Sequence, residues 1–150
     1  METKIVAKNR KASLEFFLLE RLEAGLVLQG SEIKSIRGGQ VSLAEAYVRI
    51  DDAEAWLIDA HIAPYVHSSY DNHDPKRPRK LLLNQSEIRH LWNEVRLKGM
   101  TIIPTIMYLK SGRAKIEIAI AKGKKLHDKR TDIAKRDAMR EIERQYSKRK

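Results

Sequence analysis

The sequence predicts a mainly β protein: a small, partly open β-barrel with inserted helices and a basic C-terminal tail. Three observations lead there. About six short runs are rich in β-branched or alternating apolar residues, and turn-prone dipeptides rather than regularly spaced helices separate them, which disfavours a parallel α/β sheet. Only two segments before the tail show helical spacing. Beyond residue 121 the charge changes: residues 122–150 hold twelve Lys and Arg against five Asp and Glu, a net of +7, whereas residues 1–121 hold eighteen against fifteen, a net of +3. The chain is therefore divided into a body, 1–121, and a tail, 122–150.

The opening segment to Ala12 is polar and basic and reads as frayed, with Asn9-Arg10-Lys11 its densest charge. Phe16–Leu19 and Leu22–Gln29 read as two strands, with Gly25 at a bulge or a tight approach. SEIKSIR follows as a short helix capped by Ser31 and stopped by Gly38-Gly39. Ala46–Asp51 and Glu54–Asp59 alternate in period two with Asp51-Asp52-Ala53 between them and form a hairpin. Residues 61–80, with three of the four prolines, read as one long loop ending in the basic cluster Lys76-Arg77-Pro78-Arg79-Lys80. Ile88, Leu91, Trp92 and Val95 place a helix over Ser86–Lys98, ended by Gly99. Thr101–Leu109 and Arg113–Ala121 form a second hairpin about Ser111-Gly112. In the tail, Asp132, Arg136, Arg140, Arg144 and Lys148 recur every fourth residue, on one helical face; Ile133, Ala138, Ile142 and Tyr146 make a thin apolar stripe. So much like charge with so little to bury predicts a tail that is unstructured alone and helical against phosphates.

Composition narrows function. With 150 residues and no cysteine, the chain can bury a core without disulfides, and thiolate metal sites and a Cys nucleophile are excluded. The N-terminus lacks the apolar core of a secretory signal, and no apolar run reaches the roughly 18 residues of a membrane helix, so the expectation is a cytoplasmic, membrane-free protein. A net charge of +10 points to a polyanion, because cations that neutralise phosphates release condensed counterions.

No constellation reads as catalytic. Gly123-Lys124-Lys125 lacks the upstream glycine and following Ser/Thr of a nucleotide loop and is better read as an RNA-phosphate contact. His61, His67 and His73 are six apart, which fits no metal-ligand spacing. Ser68 and Ser69, with His67, Asp71 and Asp74 nearby, lack a nucleophile elbow. Glu32 and Asp51/Asp52 read as helix first-turn charge and turn residues rather than nuclease carboxylates. Trp56 and Trp92 sit in apolar patterns and read as core. The expectation is a protein that is not an enzyme and holds no metal or cofactor.

Five blocks occur in order along nearly the whole chain: Asn9-Arg10-Lys11-Ala12, EAGLVLQGSEIKSIRGG (23–39), IAPY (62–65), NHDPKRPRKLLLNQSEI (72–88) and AKGKKLHDKRTDI (121–133). Together they resemble the SsrA-binding protein family, also called small protein B. The resemblance implies an oligonucleotide-binding-type β-barrel that binds the tRNA-like domain of transfer-messenger RNA (tmRNA) and delivers it to stalled bacterial ribosomes for trans-translation. It implies a tail that becomes helical in the empty mRNA channel, and a monomer. The implied partners are tmRNA and the small ribosomal subunit with its rRNA, and indirectly alanyl-tRNA synthetase and elongation factor Tu. By motif, Asn9, Arg10, Lys11, Glu32, Lys34, Ser35 and Arg37 would face tmRNA, with Lys76, Arg77, Arg79 and Lys80 on its backbone; Glu32 would accept from base or ribose, or orient a neighbouring cation. Gly123, Lys124, Lys125, His127, Asp128, Lys129 and Arg130 would reach the decoding region, His127 stacking on a base, and Arg136, Arg140 and Arg144 would line the channel. Many members carry a tail tryptophan where this chain has Ala138 beside Met139. A protein that binds ribosomal RNA without tmRNA, or a metal-dependent RNA-processing enzyme, are the other readings.

Overall fold

The computed structural model describes residues 3–66, 72–124, 130, 133–140 and 142. Nine strands and three helices appear among them: β1 (Thr3–Lys8), α1 (Ala12–Glu15), β2 (Phe16–Leu26), α2 (Gly30–Arg37), β3 (Val41–Ser42), β4 (Tyr47–Asp51), β5 (Glu54–Ile58), β6 (His61–Ile62), β7 (Arg79–Leu82), α3 (Gln85–Lys98), β8 (Thr101–Lys110) and β9 (Arg113–Gly123). The main sheet runs β1-β8-β4-β5-β7-β2-β9, all antiparallel, and β9 returns to β8. That return closes the sheet on itself. The closure is thin in one place: β4 meets β8 only at Val48–Ile102, because the far half of that β8 edge is taken by β1. The mainly β, partly open barrel is thus what the sequence predicts. β3 and β6 pair separately.

Alternation explains the core. On β9, Ala114, Ile116, Ile118 and Ile120 point inward and are buried. They meet Leu57 and Leu81 from β5 and β7, Ile102 and Met107 from β8, and Ile36 and Leu91 from α2 and α3, all buried. Both hairpins turn as predicted. Asp52 and Ala53 have φ of 48° and 59°, Ser111 and Gly112 of 51° and 78°, the doubly left-handed backbone that matches strand twist. α3 is held by a reciprocal cap, in which Asn84 Oδ1 accepts from the Glu87 N–H at 2.9 Å and Glu87 from the Asn84 N–H at 3.0 Å. It ends on Gly99 at φ 64°.

Several expectations are corrected. The opening segment is not frayed: residues 3–8 form β1, laid on β8, because Val6 and Ala7 find the core there. Phe16–Leu26 is one strand; its irregularity against β9 lies between Leu18 and Arg21. Gly25 pairs regularly, at a close approach, since a Cβ there would come within 3.3 Å of Leu82. Gln29, not Ser31, caps α2. The 61–80 stretch is not all loop, for β6 and β7 occupy its two ends. Trp56 and Trp92 stand outside the buried core; Trp56 is half-buried and Trp92 is 41% exposed. β9 continues to Gly123, two residues into the basic segment.

Candidate nucleic-acid interface

α2 starts where Gln29 turns extended and ends at Gly39, whose φ of 71° only glycine adopts without strain. Its first turn directs Glu32 inward, to complete burial. The carboxylate is the hub of a clamp. Oε1 accepts from the Gln29 N–H at 2.8 Å and from Arg77 Nη2 at 2.5 Å; Oε2 accepts from Arg79 Nε at 2.5 Å and from Arg77 Nε at 3.4 Å. Burial by itself pushes the Glu32 pKa up, and the donors Arg77, Gln29 and Arg79 more than reverse it, leaving it below the ordinary value of 4.5.

Arg79 is as buried as Glu32. Its remaining donors reach the carbonyls of Ala60 (2.7 Å), Pro75 (3.1 Å) and Asp74 (3.4 Å), so it ties the β5–β6 link, the 72–78 loop and α2 together. Burial lowers its pKa, which the contact with Glu32 opposes. Arg77 differs: its side chain is 29% exposed. Glu32 takes its Nε and Nη2, and longer bonds run from Nη2 to the Val27 carbonyl (3.5 Å) and from Nη1 to the Pro78 carbonyl (3.4 Å), so only part of the guanidinium meets solvent. Two further bonds fix the surrounding loop: Ser35 Oγ donates to the Ala63 carbonyl at 2.6 Å, and buried His73 bridges Ser31 Oγ and the Ile62 carbonyl at 2.8 Å each. Because that carbonyl can only accept, His73 Nε2 carries the proton.

The structure thus sorts the predicted residues. Glu32, Ser35 and Arg79 are buried and face no ligand directly. Of the two roles foreseen for Glu32, accepting from RNA is excluded in this arrangement by burial, and orienting a neighbouring cation is what the geometry does. Lys34, whose Nζ is 5.4 Å from the Tyr65 ring centroid, and Arg37 on α2, with Lys76 on the 72–78 loop, are exposed. Lys80 is paired with Glu54 at 3.3 Å.

Asn9, Arg10 and Lys11 belong elsewhere. The Asn9 N–H donates to the Thr105 carbonyl at 2.7 Å and Nδ2 to the Pro104 carbonyl at 3.0 Å, while Lys11 pairs with Glu45 at 3.3 Å. Among the described residues no hydrogen bond or ion pair of Asn9–Lys11 reaches α2 or β7. Their neighbour is the root of the tail. Gly123 pairs with Phe16, the Lys124 N–H donates to the Glu15 carbonyl at 2.9 Å, and Lys124 Nζ reaches the Ser13 carbonyl at 2.8 Å. Arg136 donates to Ser13 Oγ at 3.1 Å.

Arg130, Arg136 and Arg140 have helical backbone and are exposed, as is every residue of 133–140. Helical backbone thus lies where the every-fourth-residue spacing predicts it, over 133–140. Ala134, Lys135, Arg136, Ala138 and Met139 are strong helix formers, which supplies the local reason. Lys125, His127, Asp128, Lys129 and Arg144 lie outside the described residues.

One polar set was missed. Glu23 and Glu117 sit directly opposite on β2 and β9. Tyr108 Oη donates to Glu23, with Lys110 Nζ 3.7 Å away, while Thr105 Oγ1 and Arg21 (3.1 Å) serve Glu117. The bond from Tyr108 is the main reason the Glu23 pKa is lowered; burial first, then Glu23, raises that of Tyr108. The period-two polar pattern of these strands could have shown it. Among the described residues no group of three His, Asp or Glu could hold a metal, and no helix is long and apolar enough to cross a membrane.

Comparison with known proteins fits this arrangement. The family model described as SmpB protein matches residues 6–148. SsrA-binding protein of Desulforudis audaxviator is 55% identical over 94% of this chain and 92% of its own. That of Roseiflexus sp. (strain RS-1) is 56% identical over 97% and 93%. A solved chain described as "tmRNA-SmpB: a journey to the center of the bacterial ribosome" is 42% identical and superposes with a TM-score of 0.67, covering 79% of this chain and 84% of the other.

Proposed function

This chain belongs to the SmpB protein family, and from that premise we propose that it binds the tRNA-like domain of tmRNA and delivers it to stalled ribosomes for trans-translation. The observation that carries this reading is the extent of the match, which runs through both the barrel and the basic tail. The body, 1–121, recognises the RNA; the tail, 122–150, rooted by Lys124 on α1, reads the empty mRNA channel with Arg130, Arg136, Arg140 and Arg144. The protein acts in the cytoplasm as a monomeric adaptor and catalyses no reaction. Its partners are tmRNA and the rRNA of the small subunit, and through the RNA alanyl-tRNA synthetase and elongation factor Tu.

The clamp gives this function its physical form. Glu32 and Arg79 hold the 72–78 loop on α2, and Arg77 is presented to phosphate with its geometry already fixed, so less side-chain entropy is lost on contact. Lys34, Arg37 and Lys76, exposed on α2 and the 72–78 loop, add positive charge to the same body. Asn9, Arg10 and Lys11 flank the tail root, so their RNA contacts fall beside those of the tail.

The test uses two assays: gel shift of the tRNA-like domain, and tagging of a nascent chain on a truncated message. Reversing Arg136 and Arg140 to Glu leaves the gel shift nearly unchanged and abolishes tagging. Normal tagging by the reversed protein sinks the channel role. Ribosome binding with no affinity for the tRNA-like domain would instead favour an rRNA-binding factor that acts without tmRNA.

A further inference from the structure

Between α3 and the β4–β5 turn lies a groove of about 510 Å³ that the clamp and the tail do not use. Its floor is Ile50, Ile88 and Trp92; its rims are Arg89 on one side and Asp51 with Asp52 on the other. Trp92, the largest apolar side chain on α3, is 41% exposed, while only Ile88 and Leu91 of the helix are buried. Arg89, Trp92 and Arg96 are spaced i, i+3, i+7 and share one face of α3. The Arg96 guanidinium stands 5.9 Å from the Trp92 ring centroid. The acids of the helix are occupied, Glu87 in the N-terminal cap and Glu94 with Lys98 at 3.1 Å. Among the described residues the side chains of Arg89, Asp51 and Asp52 have no hydrogen-bond or ion-pair partner.

We infer that this groove binds one unpaired nucleotide of the tmRNA tRNA-like domain, its base stacked on Trp92 and its phosphate between Arg89 and Arg96. An exposed indole flanked by two guanidinium groups without acidic partners is the arrangement that holds unpaired bases, since every base offers a π-face and the cations meet the backbone. The acidic rim fixes the orientation. Asp51 and Asp52 repel phosphate, so the backbone takes the arginine side. The carboxylates accept from an exocyclic amino group or a ribose 2′-hydroxyl, which favours adenine, cytosine or guanine over uracil, and RNA over DNA. Position argues for the same RNA that meets the clamp: β7 begins at buried Arg79, and α3, whose first residue Gln85 lines the groove, follows it after two intervening residues.

The inference rests on the proposed tmRNA binding, and the experiment separates the two. In full-length protein with Trp56→Phe, Trp92 is the only tryptophan and reports on its own ring. Titration with a transcript of the tRNA-like domain should quench its emission. Trp92→Ala should lower affinity about fivefold or more, and Trp92→Phe should keep most of it. Arg89→Gln with Arg96→Gln should flatten the log–log salt dependence by about 0.7–0.9 for each phosphate no longer neutralised. Tight binding with unchanged emission, and Trp92→Ala within twofold of the parent, would overturn the groove assignment while leaving tmRNA binding intact. Quenching by small-subunit rRNA but not by the tRNA-like domain would overturn it too, as would quenching only by a protein or peptide. If the parent protein does not bind the tRNA-like domain at all, both readings fall together.

Discussion

Arg79 and Arg136 carry the same guanidinium, and the molecule uses it in opposite ways. Arg79 is fully buried, bonded to Glu32 and to three backbone carbonyls. Arg136 stands on an exposed helical segment and touches the body through one bond to Ser13. A buried charge offsets its desolvation only with saturated, rigid partners, so it fixes geometry and is indifferent to salt. An exposed charge costs little to place and is screened over about 8–10 Å in ordinary buffers, so it supplies attraction without position. The clamp is thus the part of the surface that can recognise shape, and the tail the part that responds to the density of phosphate.

The strongest way to break this comparison is Glu32→Gln. The substitution keeps the side chain's size and strands Arg79 in the interior without a counter-charge, so the expected loss is about 3–5 kcal/mol of unfolding free energy. Urea titration checks it; a loss under about 1 kcal/mol would show that the clamp is not structurally central. The pH dependence follows from the same carboxylate. Its folded pKa lies below 4.5, so its contribution is fully present above that value and fades as the pH falls through the folded pKa. Below pH 4.5 the stability of the parent should fall more steeply than that of Glu32→Gln, while between pH 5 and pH 7 the gap between them should stay constant.

The resemblance counted Glu32 among the residues facing tmRNA, with orienting a neighbouring cation as one of its two roles, but nothing in the sequence showed that Glu32 is buried. The barrel was legible because its strands alternate and its hairpins carry local turn chemistry, as in Arg113–Ala121, where every second residue is apolar. β1 was not legible: the pairing that orders Thr3–Lys8 is with β8, about a hundred residues away, and leaves no mark on the local pattern. Glu32 was misplaced for a related reason. A glutamate in a first helical turn reads as solvated, and only the return of Arg77 and Arg79 along β7 and its preceding loop makes burial tolerable. Trp92 erred the other way: its helical spacing with Ile88 and Leu91 suggests a shared face, yet it falls at that face's outer margin, over the β4–β5 turn. The blocks of charge at Asn9–Lys11 and beyond Gly123 were both visible, but their adjacency was not, because it depends on Phe16 pairing with Gly123.

A finer test separates position from charge within the clamp itself. Arg77→Ala removes the exposed partner and leaves the Glu32–Arg79 pair in place. The expected loss of stability is about 1–2 kcal/mol, less than for Glu32→Gln because water already reaches part of this side chain. Its affinity for the tRNA-like domain should fall by more than its stability does, and Arg77→Lys should recover the charge without the paired donors, restoring binding only in part. Parallel melting and gel-shift series decide it. If Arg77→Lys binds like the parent, the fixed fork is unimportant and the clamp merely supplies charge.

The smallest effect on the folded state should come from the tail, and it is the most informative. Arg136→Ala with Arg140→Ala removes two exposed cations that bury nothing, so stability should change by no more than about 0.5 kcal/mol. Loss of the Arg136–Ser13 bond should free the helical segment from α1 without opening β9, whose end is held independently by Phe16 and by Lys124 on Glu15. Binding to the small ribosomal subunit should nevertheless weaken, and its log–log salt slope should shrink by about 0.7–0.9 per phosphate contact, or roughly 1.4–1.8 for the pair. The slope is the quantity that matters. Loss of Arg77 should cost the slope of one phosphate contact plus a loss from positioning that persists at high salt, whereas a residue acting through charge density alone loses its effect as salt rises. Titrations from low to high salt with the parent, Arg77→Ala and the double tail variant place each residue on one side of that division. A tail variant whose deficit persists unchanged at high salt would mean that Arg136 and Arg140 make fixed, specific contacts on the ribosome, and the contrast drawn between Arg79 and Arg136 would fail.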